Sequence, residues 1–140
     1  MIRRLGHVGI VVEDIEKSLS QYEKLFNLKP TAVVNALGGK VRAAFVPAGD
    51  GEIELLQPLD ETVPLMQYLR THGTGIHHIS LTTDDIDSEV NRLRKEGVVF
   101  DRETPTVGAH GTRIIFTVPK STDNIAIELM EEAPPKPQQT

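Results

Sequence analysis

The sequence predicts an α+β protein made of two tandem β-α-β-β-β modules that share one site, and three observations predict it. The first is a near-repeat. Leu5-Gly6-His7-Val8-Gly9-Ile10-Val11 and Gly75-Ile76-His77-His78-Ile79-Ser80-Leu81 are both apolar-alternating runs with a histidine near the start. The second is an acidic stretch after each run, suited to opening a helix: Asp14-Ile15-Glu16 in one case and Asp85-Ile86-Asp87 in the other. His7 lies 71 positions before His78, and Asp14-Ile15 the same 71 before Asp85-Ile86, which marks a duplicated module. The third is the pair of endings. Ile53-Glu54-Leu55-Leu56 matches Ile127-Glu128-Leu129-Met130 at an offset of 74, so about three residues are added in the Lys120-to-Asn124 turn of the second module.

Residues 5–12 alternate as a strand. Asp14 caps a helix on which Ile15, Leu19, Tyr22 and Phe26 recur at three- and four-residue steps, and Glu16 suits the positive end of its dipole. Asn27 and Pro30 close it. Thr31 to Asn35 is a short β-branched strand, Gly38-Gly39 a turn, and Val41 to Pro47 the next strand. Gly49-Asp50-Gly51 turns the chain into the strand Glu52 to Gln57. In the connection, Val63, Leu65, Met66 and Leu69 predict a short amphipathic helix ended by Gly73. The second module then has a strand at 76–82 and a helix from Asp85 carrying Val90, Leu93 and Arg94, stopped by Gly97. Next come a short strand over Val98 to Asp101, a loop from Thr104 to Gly111, and strands Thr112 to Val118 and Ile125 to Met130. The predicted organisation is one domain over 1–131, with modules at about 1–57 and 74–131, a connection at 58–73 and a disordered tail at 132–140.

Composition narrows the function. With 140 residues and 39% of them hydrophobic, the chain can build one core, whereas a module of about 65 residues is marginal alone, so the halves should fold together. A net charge of −5 and a pI near 5.5 argue against nucleic acid as a partner. No apolar run approaches the roughly 20 residues that span a bilayer, and the first residues lack a signal-peptide core. The absence of cysteine removes thiol nucleophiles and cysteine metal sites and fits a reducing, cytoplasmic setting.

The chemistry lies in four positions. Period-2 alternation turns Glu54 away from Ile53 and Leu55, and Glu128 away from Ile127 and Leu129. With a histidine opening each module, His7, Glu54, His78 and Glu128 are expected to converge on one divalent cation. Two imidazoles and two carboxylates suit zinc or cobalt first, nickel or manganese next, and leave open positions for substrate oxygens. Burying two carboxylates together without a cation is costly. The repeat selects His78 over His77, which alternation turns to the opposite face as a packing residue. His72 reads as a solvated helix-end residue, and Gln57 as lying on Leu55's face.

These residues resemble the vicinal oxygen chelate superfamily of glyoxalases, bleomycin-resistance proteins and dioxygenases, and within it the methylmalonyl-CoA epimerases. The matching stretches are Gly6-His7-Val8-Gly9-Ile10, Ile53-Glu54-Leu55-Leu56, Gly75-Ile76-His77-His78-Ile79, Gly108-Ala109-His110-Gly111, Pro119-Lys120 and Ile127-Glu128-Leu129. The resemblance implies a mixed sheet curled around the metal, a homodimer, and a small-molecule substrate that is an acyl-CoA thioester. The reaction it implies is interconversion of the enantiomers of a 2-carboxyacyl-CoA, by removal and return of the α-proton through a metal-stabilised enolate. Glu128 is then both ligand and acid–base group. Where some epimerases carry a second glutamate, the matching position is read as Arg42, so His110 is the candidate for the opposite-face proton carrier. Val118 replaces the usual histidine before Pro119-Lys120, and Ser121-Thr122-Asp123-Asn124 replaces a glycine-rich turn. Arg42, Arg113 and Lys120 are the expected contacts for CoA phosphates. Two alternatives share the pattern: a glyoxalase-type lyase or isomerase acting on a thiol hemithioacetal, and a drug-binding protein of the same fold.

Overall fold

The computed structural model describes residues 1–133, so nearly all of the tail predicted to be disordered lies outside the described residues. Both modules contribute to a single eight-stranded sheet. The first contains β1 (Ile2–Val11), α1 (Ile15–Phe26), β2 (Ala32–Ala36), β3 (Val41–Ala48) and β4 (Gly51–Pro58). Helix α2 (Pro64–His72) connects it to β5 (Gly75–Thr83), α3 (Ile86–Lys95), β6 (Thr106–Val107), β7 (Arg113–Phe116) and β8 (Ala126–Glu131). The strand order is β2-β3-β4-β1-β5-β8-β7-β6. β1 and β5, the strands that open the modules, pair antiparallel at the centre, and each pairs parallel with the last strand of its own module. The duplication is thus a pseudo-symmetric sheet, curled as a half-barrel.

Local chemistry explains the helix starts. Asp14 accepts from the Lys17 amide and Asp85 from the Ser88 amide, so both repeats carry the same cap. Gln57 Oε1 accepts from the Ile15 amide at 3.0 Å, which ties α1 to β4 and places Gln57 on Leu55's face as expected. Asn27 ends α1 in the left-handed region, and Pro64 occupies the first turn of α2.

Alternation divides the sheet into two faces. On the outer face, Ile15 of α1 packs with Ala44, Val46 and Leu55, and Ile86 and Val90 of α3 pack with Ile115 and Leu129. On the inner face, Val63 ahead of α2 packs with Val41, Ala43, Phe45 and Leu56, with Leu65, Met66 and Ala109 alongside. Two expectations change. Phe26 is 63% exposed, its ring 6.0 Å from Tyr22, and does not extend the buried stripe. The strand expected over Val98 to Asp101 is only a bridge from Phe100 to Thr117, and the edge strand is instead β6, inside the stretch expected as a loop. Phe100 joins the α3 core, and backbone hydrogen bonds from Asp101 to Phe116 and from Val118 to Val99 hold the segment alongside β7.

Candidate metal centre

The four strands at the middle of the sheet each bring one buried histidine or glutamate to the inner face. They are His7 from β1, Glu54 from β4, His78 from β5 and Glu128 from β8, none more than 4% exposed. His7 Nε2 lies 3.1 Å from His78 Nε2, 3.3 Å from Glu128 Oε1 and 3.7 Å from Glu54 Oε2. His78 Nε2 and Glu128 Oε2 are 4.0 Å apart. Atoms held at about 2.1 Å by one ion stand roughly 3 to 4 Å from one another. His7, Glu54 and His78 offer ligand atoms that all lie within 4.8 Å of one another and so could hold an ion, with Glu128 beside them.

Two further observations test whether this set fits a cation. Glu128 Oε1 is buried and has no hydrogen-bond partner, because its approach to His7 lacks the geometry of one. The protonation states of the metal-free cluster are also displaced. Burial drives His7 down to about 3 and His78 to about 2, with neighbouring imidazoles adding to the effect. Burial pushes Glu128 up to about 7, and the Ser80 hydroxyl opposite it in the β5–β8 register works weakly against that. Glu54 is held well above the carboxylate range by burial first, then by Glu128 and Glu52. Two neutral imidazoles and two carboxyl groups that resist ionising are a site in want of positive charge. The residues fit a divalent ion.

Glycine makes room for this arrangement. A methyl group on Gly9, which faces His78 in the β1–β5 register, would sit 2.1 Å from His78 Cε1. The imidazole occupies the space a side chain would take.

His110 reaches the cluster from the other module. Its Nδ1 is 3.2 Å from Glu54 Oε2 and its Nε2 is 2.5 Å from Glu52 Oε1. The ring stacks on Phe45 at 4.1 Å and lies 4.9 Å from His7. The glycines around it are needed: a Cβ on Gly108 would fall 2.7 Å from Ile114 Cδ1, and Gly111 has φ +79°. The repeat does not single out Glu52, although it lies two residues before Glu54 and so on the same face. A cavity of about 260 Å³ opens beside this group, lined among others by His7, Glu52, His110, Gly6, Met130 and Arg4.

Other expectations are corrected. Arg42 lies on the outer face, where its guanidinium pairs with Glu16 of α1 at 2.5 Å. The β3 side chain facing the cluster is Phe45, opposite Glu54 in the β3–β4 register, so Arg42 does not occupy an acid–base position. Arg113 is also on the helix-covered face, bound to Glu131 and Asp87 at 2.9 Å each. Both lie on the face away from the cluster, and Arg4, 3.9 Å from Glu132, is the arginine that lines the cavity. His77 does not point away from the site. Its Nδ1 is 2.9 Å from His78 Nδ1, because the β1–β5 register skips it: Gly9 faces His78 and Ile10 faces Ile76. This bulge breaks the alternation on which the expectation rested. His72 is exposed at the end of α2, as expected, and stacks on Tyr68 at 4.4 Å.

Paired β-α-β-β-β modules that present two histidines and two glutamates on one concave sheet define a vicinal oxygen chelate protein. Residues 6–116 match the model of the Glyoxalase/Bleomycin resistance protein/Dioxygenase superfamily, and the chain belongs to that family. It is 35% identical over 132 residues to the mitochondrial methylmalonyl-CoA epimerase of Dictyostelium discoideum, covering 94% of this chain and 80% of that one. Among solved structures it is similar to methylmalonyl-CoA epimerase from Mycobacterium tuberculosis, with a TM-score of 0.89, 31% identity and coverage of 95% and 90%. It is also similar to the Streptomyces coelicolor methylmalonyl-CoA epimerase in complex with 2-nitronate-propionyl-CoA, with a TM-score of 0.88, 27% identity and coverage of 95% and 96%. No helix among the described residues is long and apolar enough to cross a membrane.

Proposed function

We propose that the chain is a metal-dependent epimerase that interconverts the enantiomers of a 2-carboxyacyl-CoA such as methylmalonyl-CoA. The observation that supports this reading is that Glu128 and His110, the two groups we assign to proton transfer, lie on opposite flanks of one cluster of histidines and glutamates. Glu128 is on β8, and His110 is held over β4 by Glu52 and Glu54, with β1 and β5 between them. Inverting a stereocentre by proton transfer needs one group on each face, one to take the proton and one to return it. The near full-length likeness to epimerases supports the same substrate class.

His7, Glu54, His78 and Glu128 are the residues that would hold the ion. When bound, the ion supplies a Lewis acid that stabilises negative charge developing on substrate oxygens. This chain's own residues do the rest. Burial of the cluster excludes water, and the Glu128 carboxyl takes up or gives the α-proton on its side. Glu52 fixes the His110 ring, so that its other nitrogen, Nδ1, faces the cluster where the second proton is handled. Arg4 at the cavity is placed to meet an anionic part of the substrate. Zinc or cobalt suits this donor set best. The proposal includes a homodimeric, cytoplasmic protein, checked by sedimentation and by fractionation.

The reading is tested by offering metal-loaded protein methylmalonyl-CoA in D2O and, in parallel, the hemithioacetals of methylglyoxal with glutathione and bacillithiol. Deuterium should enter C2 of methylmalonyl-CoA, with no turnover of either hemithioacetal. Turnover of a hemithioacetal without exchange in the CoA ester would replace the epimerase by a glyoxalase-type lyase or isomerase.

A further inference from the structure

We propose that His77 is a positioning residue that fixes the tautomer and orientation of His78 as a metal ligand. The inference rests on the reading that His78 is one of the four ligands and goes beyond it. His78 Nε2 is the nitrogen turned to the cluster, 3.1 Å from His7 Nε2. To bind a cation it must present a lone pair, so the ring proton of His78 belongs on Nδ1. That nitrogen has one neighbour suited to accept it, His77 Nδ1 at 2.9 Å, and the proton of His77 then sits on Nε2. The His77 ring is held in turn. It meets Tyr68 edge-on at 4.9 Å and Phe116 at 6.2 Å, and the Tyr68 hydroxyl donates to the Ile76 carbonyl at 2.6 Å. Helix α2 therefore braces the histidine that braces the ligand.

The repeat sharpens the contrast. The residue 71 positions before His77 is Gly6, which the β1–β5 register also skips, Leu5 facing Leu81 and His7 facing Ser80. Both modules thus bulge just before the ligand histidine, but only the second fills the bulge with an acceptor. His7 Nδ1 accordingly is buried with no hydrogen-bond partner. Hydrogen bonds to the far nitrogen of a ligand histidine set its tautomer and raise its affinity for the ion, and losing one typically weakens binding about 10–100-fold.

Three variants separate this role from packing. His77→Phe keeps a ring against Tyr68 and Phe116 but removes the acceptor. His77→Asn places a carbonyl near the position of Nδ1, and His77→Gln places it near Nε2, out of reach of His78. Affinity for cobalt(II) is measured by chelator competition, and the exchangeable His78 ring N–H is followed by proton NMR of the cobalt-loaded proteins. Thermal unfolding of the metal-free proteins checks folding. Cobalt affinity should fall about 10–100-fold in the Phe and Gln variants and recover in Asn, and the His78 N–H signal should be lost in the first two and kept in the third. Unchanged affinity and signal in a folded Phe or Gln variant would overturn the proposal, as would an Asn variant no better than Gln. Failure of the unmodified protein to bind cobalt at all would instead overturn the ligand assignment beneath it.

Discussion

At Gly9 a methyl group has nowhere to go, since it would lie 2.1 Å from His78 Cε1 and 2.6 Å from His78 Nε2. Gly9→Ala should displace the His78 ring and lower metal affinity at least about tenfold, with a stability loss of about 1–3 kcal/mol from overpacking. Calorimetric titration with zinc checks it, and unchanged affinity would show that the ring need not lie where it does. The ionisable members make a second prediction. The ordinary value for Glu128 is 4.5 and burial raises it to about 7, so the metal-free fold favours the protonated acid. Its contribution to metal-free stability is present below 4.5 and is lost as pH rises toward 7; Glu54 acts in the same direction. A cation favours the ionised carboxylates and removes this penalty. His7 and His78 are already neutral in the metal-free fold across that range, so protons released on binding come from carboxyl groups. The rise in Tm on adding zinc should therefore grow between about pH 5.5 and about pH 7.5, with Glu128→Gln flattening the slope. An increment independent of pH contradicts the assignment. At this scale the convergence of His7, Glu54, His78 and Glu128 is legible in the sequence because the shared offset of 71 names the histidines and alternation turns the glutamates inward. The placing of His77 is not, because a bulge leaves no mark in hydrophobic periodicity.

The elements reproduce the duplication in their hydrogen bonds. Asp14 and Asp85 cap α1 and α3 in the same way, and both helices pack on the outer face, away from the cluster. Asp14→Ala and Asp85→Ala should each cost about 1 kcal/mol of stability and leave cobalt affinity unchanged. Urea unfolding with parallel cobalt titration checks this, and lost affinity would mean that the helices position the site more directly than their face implies. On the inner face, β4 supplies two carboxylates with different tasks. Glu54 belongs to the cluster, while Glu52 holds the His110 ring. Glu52→Gln should lower kcat about 10- to 100-fold with little change in metal affinity, since it disturbs the orientation of His110, the proposed acid–base group, and spares the proposed ligands. An equal loss of metal in this variant would make Glu52 a ligand instead. Caps, turn glycines and helical periodicity make the helices and most strands readable. The short β6 is not, because a two-residue edge strand depends on pairing with β7 and carries no pattern of its own.

Across the whole molecule, duplication explains how a small fold builds a buried polar site. Each module supplies one histidine and one glutamate from parallel neighbouring strands, and antiparallel pairing of β1 with β5 brings the two half-sites together. His110 breaks the symmetry, since the second module sends it across to the carboxylates of the first. That crossing is only partly legible: Gly108-Ala109-His110-Gly111 stands out as a motif, but the partner of its histidine lies 58 residues away at Glu52, beyond any local signal. The two flanks then predict asymmetric damage. The direct measurement is deuterium entry into each enantiomer of methylmalonyl-CoA in D2O, for the metal-loaded protein and for His110→Ala and Glu128→Gln loaded with the same metal. The unmodified protein should label and interconvert both enantiomers. His110→Ala should label one enantiomer while blocking interconversion, and Glu128→Gln should do neither. Full interconversion by either variant, or no labelling by the unmodified protein with its metal bound, would contradict the account.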